Sequence, residues 1–248
     1  MLKSTHMELK LIKNPKLNKP TIIEGFPGMG MIGTITTGYI AEKLEMELIG
    51  YFSSPHFPPI AAVHNYTPVS PARVYASEKH NLIVLMSEFV IPANVVVPLS
   101  EKIIEFANTQ KASAIYSLAG IATPEPDEKY YAITSTKKMK EQMEKEKFEV
   151  VKEGAAQGVS GVLIAEAAAD GTNAANLMIQ TNQPMDPENA ARLLDKVLPI
   201  LGIKLDTSEL HEEGKKFQNK LQDTMNKLNE MHQNYTQLQE QHGNSMYG

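Results

Sequence analysis

"TIIEGFPGMGMIGTITTGYIAEKL", residues 21–44, decides how this chain is read. The run from Lys19 to Phe26, with Ile22 and Ile23 at its centre, reads as a buried strand. A glycine-rich turn follows, and the stretch from Met31 to Met46 has the composition of a helix. A strand passing through a tight turn straight into a helix is the opening unit of a layered α/β domain. Gly28, Gly30 and Gly33 spell G-x-G-x-x-G in the context that a dinucleotide fingerprint requires. Two details oppose that reading. Ser53 and Ser54 follow the second strand where an acidic ribose ligand belongs, and Met31 stands where a Walker A loop needs its lysine. The other reading is structural: glycines permit a tight turn and a close approach of backbones. The residues favour the structural reading of Gly25, Gly28, Gly30 and Gly33, with no cofactor.

Outward from this unit, apolar runs alternate with helical stretches to about residue 205. Strands are expected over 47–52, 112–120, 148–154 and 174–182. A hairpin is expected from 72–78 and 81–89, joined through Lys79 and His80. Helices are expected over 96–110, 135–147, 160–170 and 186–201. The last is well signalled, with Asp186 as N-cap and Pro187 at its first position. The proline-rich stretch 53–71 reads as loop with at most an edge strand. The acidic stretch 121–131 reads as loop. This alternation predicts a mostly parallel sheet with helices on both faces, a Rossmann-like three-layer α/β/α domain over residues 1–205.

The totals narrow the function classes. The 248 residues suffice for one core of about 200 residues and an appendage. Lys and Arg number 24 against 29 Asp and Glu, a net charge of −5, and no basic cluster occurs, which argues against nucleic acid as a partner. With no cysteine, disulfides and thiolate chemistry are excluded. No apolar run reaches the roughly 18 residues of a membrane span, and the start lacks a signal-peptide core, so a cytoplasmic protein is expected.

Beyond Leu205 the composition turns to Glu, Lys, Gln and Asn. Asp206 and Glu209 resemble a capping box, opening a helical tail over 206–248. Leu221, Leu228 and Tyr235 share one heptad position, and Phe217, Met231 and Leu238 share another. Thr224 interrupts the second series, with Met225 beside it. These three to four heptads suit a coiled coil; an amphipathic helix packed on its own domain is the alternative. The narrow stripe and polar flanks favour projection. A helix from 207 to about 240 would be roughly 50 Å long.

The remaining polar residues give no catalytic set. The seven histidines do not cluster, and His232 and His242 fall in the tail. Glu166 and Asp170 are one turn apart, as two carboxylates at a solvated helix end often are. Glu125, Asp127 and Glu128 sit in the acidic loop. No nucleophile, base and orienter assemble by spacing.

The stretch 22–44 closely resembles the opening strand, loop and helix of the proteasome assembly chaperone 2 family. The likeness is carried by Gly25, Phe26, Pro27, Gly28, Gly30, Ile32 and Gly33. "YSLAGIATPEPDE", "GVSGVLIAEA" and "DPENAARLLDKV" are similar to later family segments, so the resemblance spans about residues 8–203. It implies a chaperone domain that acts by binding, without catalysis. The archaeal branch is the nearer likeness, because its members carry a helical extension ending in hydrophobic-Tyr-X, here Met246, Tyr247 and Gly248. That resemblance implies docking on proteasome core-particle α-subunits and a homo-oligomer, tetramer or pentamer, with a paralogous chaperone as a further partner. Two other functions stay open on the residues alone. One is a nucleotide- or dinucleotide-dependent enzyme using the Gly28–Gly33 loop, and the other is a coiled-coil scaffold for a different partner.

Overall fold

A computed structural model describes residues 7–64, 66–212, 223 and 226–228. Its elements run β1 (Glu8–Leu11), β2 (Thr21–Gly25), α1 (Ile32–Lys43), β3 (Glu47–Ser53), β4 (Ala62–His64), β5 (Thr67–Val69), β6 (Ala72–Ser77) and β7 (Leu82–Ser87). They continue α2 (Ala93–Thr109), β8 (Ala114–Ala122), β9 (Tyr130–Thr134), α3 (Lys137–Lys145), β10 (Glu149–Val150), α4 (Gly158–Asp170), β11 (Ala174–Thr181) and α5 (Pro187–Leu201). Nine strands form one sheet in the order β1-β3-β6-β7-β2-β8-β11-β9-β10; β4 and β5 form a separate hairpin.

The sheet is mixed rather than mostly parallel. Among the described residues, β7, β2, β8 and β11 pair in parallel, as do β9 and β10. The pairs β1–β3, β3–β6, β6–β7 and β11–β9 are antiparallel. The cause lies in the connections. A parallel return needs a crossover of a dozen or more residues, usually a helix. The link from β3 to β6 holds Pro55, Pro58, Pro59, Pro68 and Pro71, which prevent a helix from forming there. The chain therefore returns antiparallel, and the proline-rich stretch folds into two short strands where at most one was expected. Three other elements differ from the sequence reading. β1 was not foreseen, β9 begins inside the stretch read as loop, and β10 shrinks to two residues.

Helices cover both faces of the sheet. Ile23, Leu118 and Leu177 pack with α1, α3 and α5 through Ile35, Met143 and Leu194. Ile22, Ile83 and Ile115 face α2 and α4 through Leu99, Ile103 and Leu163. Neighbouring residues on β2 thus serve opposite cores, which is why Ile22 and Ile23 stand side by side in this strand without alternation. Asp186 caps α5 as the sequence indicated: its carboxylate accepts from the Asn189 N–H at 3.0 Å. α5 ends at Gly202, whose φ of 66° gives a left-handed cap.

Candidate functional site

The glycine turn is built by close packing. Gly33, in the first turn of α1, lies against the Leu118 carbonyl of β8 and 3.0 Å from Gly25 Cα, measured from where its Cβ would be. Gly25 in turn faces the Gly33 carbonyl and Thr37. α1 therefore meets β2 and β8 backbone to backbone. Gly30 has φ of +66°, and a Cβ there would also meet Thr181 Cγ2 at 2.9 Å. Its carbonyl accepts the Asp186 N–H at 2.8 Å. Met31 follows at φ 52°, a left-handed conformation uncommon for a non-glycine residue. Gly28 is different: it is extended at φ −153°, and a Cβ would meet nothing within 4 Å.

Beneath the turn lies Glu24, fully buried. Its Oε1 accepts the Phe26 N–H at 2.9 Å and its Oε2 accepts the Ser160 hydroxyl at 2.9 Å. Burial raises its pKa; hydrogen bonds from Ser117, Phe26 and Ser160 oppose the rise. Both oxygens are engaged, so the carboxyl acts as a strut between β2, β8 and α4. A second buried polar group joins β6, β7 and the hairpin. Glu88 and Arg73 are each 4% exposed and paired, and His64 Nε2 lies 2.8 Å from Glu88 Oε1. Burial would raise the Glu88 pKa, but His64 and Arg73 outweigh it and the net shift is downward. Sequence reasoning missed both groups. The one visible signal was Arg73 inside an otherwise apolar strand.

Residues 203–211 are held against α1 and α5. After Gly202, Ile203 is buried, and a helix starts at residue 208. The Tyr39 hydroxyl of α1 donates to the Asp206 carbonyl at 2.8 Å, and Lys43 pairs with Glu209. The Thr207 hydroxyl donates to Asp195 of α5. His211 bridges α5, with Nε2 3.0 Å from Asp195 and Nδ1 3.3 Å from Glu188. Its pKa is raised by the Asp195 contact, against partial burial, with Glu188 adding to the rise. The expected capping box is replaced. Asp206 accepts from the Ser208 N–H at 2.9 Å, and Glu209 turns to Lys43 rather than back to the cap. An open cavity of about 510 Å³ lies at this joint, between Asp195, Leu198, Pro199 and residues 203–206.

The other expected residues are placed as follows. Asp170 accepts from Thr172 and Asn108, tying α4 to α2, and both contacts lower its pKa, Thr172 first. It stands at an exposed helix end, while Glu166 is part-buried one turn earlier. Asp127 accepts the Tyr131 hydroxyl, which pushes the Tyr131 pKa up to about 12. Among the described residues no three His, Asp or Glu side chains group so as to hold a metal, and no helix is long and apolar enough to cross a membrane. Leu228 is buried at 4%, covered within the single chain. Phe217, Leu221, Met231, Tyr235, Leu238, Met246, Tyr247 and Gly248 lie outside the described residues, as do His232 and His242.

Residues 22–225 match the PAC2 family. An uncharacterized protein of Methanocaldococcus jannaschii is 26% identical over 218 residues, 87% of this chain and 90% of the relative. The crystal structure of Pyrococcus furiosus PbaA, described as an archaeal homolog of proteasome-assembly chaperone, superposes with a TM-score of 0.81 at 26% identity. The match covers 91% of this chain and 99% of that one. Pyrococcus furiosus PbaB, described as an archaeal proteasome activator, shares the fold at a TM-score of 0.73 and 20% identity, over 88% of this chain and 98% of its own.

Proposed function

This chain belongs to the PAC2 family, and on that premise we propose that it is a cytoplasmic proteasome assembly chaperone or adaptor, acting by binding rather than catalysis. The observation that carries the reading is its nearly full-length likeness to PbaA. Residues 1–205 are the chaperone domain, Rossmann-like in its helix-covered sheet, and 206–248 are the tail that delivers the contact. Met246, Tyr247 and Gly248 are the docking residues for core-particle α-subunits, with Phe217, Leu221, Met231, Tyr235 and Leu238 joining the tails of a homo-oligomer, while Leu228 is covered by its own chain.

The chemistry of such a tail is simple. A terminal carboxylate pairs with a cationic pocket residue through a charge-assisted bond. Tyr247 adds a large contact with few torsions to freeze, and Met246 adapts to an apolar slot. One three-residue contact is weak; several tails on one oligomer raise the effective concentration of each other's ends. The clasp of Tyr39, Lys43, Asp195 and Glu188 on residues 206–211 supports this reading, because it anchors the segment from which such a tail would start.

The test is capture of purified core particles on the immobilised protein, with the intact chain and with Met246–Gly248 removed. Capture should be lost on removal. Equal capture by both chains refutes docking through the tail.

A further inference from the structure

The two edges of the main sheet are finished differently. At one end β10 is only two residues long, a common way of blunting an edge. At the other, β1 offers four residues and runs into exposed Leu11 and Ile12, at 45% and 56%. The Ile12 N–H donates to Ile49 of β3 at 2.8 Å, so even-numbered residues of β1 turn their backbone groups inward to β3. By the alternation of an antiparallel ladder, Leu9 and Leu11 turn theirs outward, toward an edge that no other strand pairs among the described residues.

We propose that this edge is an interface with a second copy of this chain, β1 pairing antiparallel with β1 about a two-fold axis at Leu9. The sequence of the strand selects both the occupant and the register. With Leu9 opposite Leu9, Glu8 of each copy faces Lys10 of the other, twice. These are the closer, non-hydrogen-bonded cross-strand pairs, with Cα atoms about 4.5 Å apart. Centring the pair on Glu8 sets carboxylate against carboxylate, and centring it on Lys10 sets ammonium against ammonium. Both side chains are about half exposed and already adjacent, Lys10 Nζ lying 3.5 Å from Glu8 within one chain. On the opposite face, Met7 and Leu9 pack with the core under α2 and α4. The same register places exposed Leu11 against Met7 of the second copy, so the apolar face continues across the axis. This interface is independent of what the tails bind.

The test uses the full chain, which contains no cysteine. In Leu9→Cys the two introduced thiols meet on the axis. Hydrogen-bonded cross-strand residues have Cα atoms about 5.5 Å apart, within the roughly 4.4–6.8 Å that a disulfide spans. In Ile12→Cys the thiols stand six ladder positions apart, about 20 Å, although Ile12 is the more exposed residue. Mild oxidation should therefore give covalent dimer several-fold faster from L9C than from I12C. In the cysteine-free chain, E8K should weaken the two-fold association roughly tenfold, read by sedimentation equilibrium, and the swap E8K/K10E should restore it. Equal or faster trapping of I12C overturns the proposal. So does an E8K chain that associates like the parent with an unchanged circular dichroism spectrum.

Discussion

Gly33→Ala puts the packing account of the glycine turn at risk. The new methyl would lie 3.0 Å from Gly25 Cα, with the Leu118 carbonyl oxygen closer still. Relaxed carbon–carbon contacts sit at about 3.5–4.0 Å, so α1 must withdraw from β2 and β8 by about 0.5–1 Å. Both obstacles are backbone, and α1 is buried along most of its length, so no side chain can swing aside. Overpacking of this kind costs about 1–3 kcal/mol, and a rigid site belongs at the upper end, near 3 kcal/mol. At about 2–4 °C per kcal/mol for a chain of this size, the melting temperature should fall by about 6–12 °C. Gly28→Ala is the control. Its Cβ would meet nothing within 4 Å, and its backbone is already extended, so the change should stay within about 0.5 kcal/mol. Urea titrations and thermal melts followed by far-ultraviolet circular dichroism measure both variants. A Gly33→Ala chain as stable as the parent, or a Gly28→Ala chain equally damaged, refutes the packing account.

Arg73→Met leaves the Glu88 carboxylate buried without its cation and should cost about 3–5 kcal/mol in urea unfolding. Asp186→Ala removes the α5 cap and the acceptor of the buried Thr181 hydroxyl, for a loss of about 2 kcal/mol by the same measurement. The root of the tail should respond to pH through His211. Its folded pKa is raised above the ordinary 6.5, so the stabilisation is complete below 6.5 and fades as pH climbs through the folded value. Amide exchange at residues 208–212 should accelerate across that window, and His211→Ala should remove the dependence. A thermal-shift series with ATP, NAD and FAD should leave the melting temperature unchanged; a clear shift abolished by Gly30→Val would revive the nucleotide reading.

What the sequence disclosed was what short-range chemistry writes. β2, α1, the β6–β7 hairpin and α5 were readable because a glycine turn, a short reversal (four residues, 78–81, rather than the two expected) and an Asp-Pro cap are local signals. Strand direction is not local, and the antiparallel wing followed from a linker that forms no helix. β1 was missed because four residues of Glu-Leu-Lys-Leu carry too little alternation to separate a strand from a charged lead-in. The family likeness was legible from Gly25 to Gly33, and the match over 22–225 agrees with it. The contacts that hold the tail root were not legible. His211 meets residues 16 and 23 positions away on α5, a separation that only the fold can close. Arg73 and Glu88, 15 apart, meet through the hairpin's register in the same way.

The contact of Gly33 with the Leu118 carbonyl bears on how genomes are surveyed. Steric exclusion between two main chains is enough to write the same letters that phosphate recognition writes. A census of nucleotide-dependent proteins drawn up from that spelling therefore mixes two populations. What would sort them is the neighbour that a side chain at the second glycine would strike: a ligand oxygen in one class, the protein's own side chains in the other, as Gly30 meets Thr181 here.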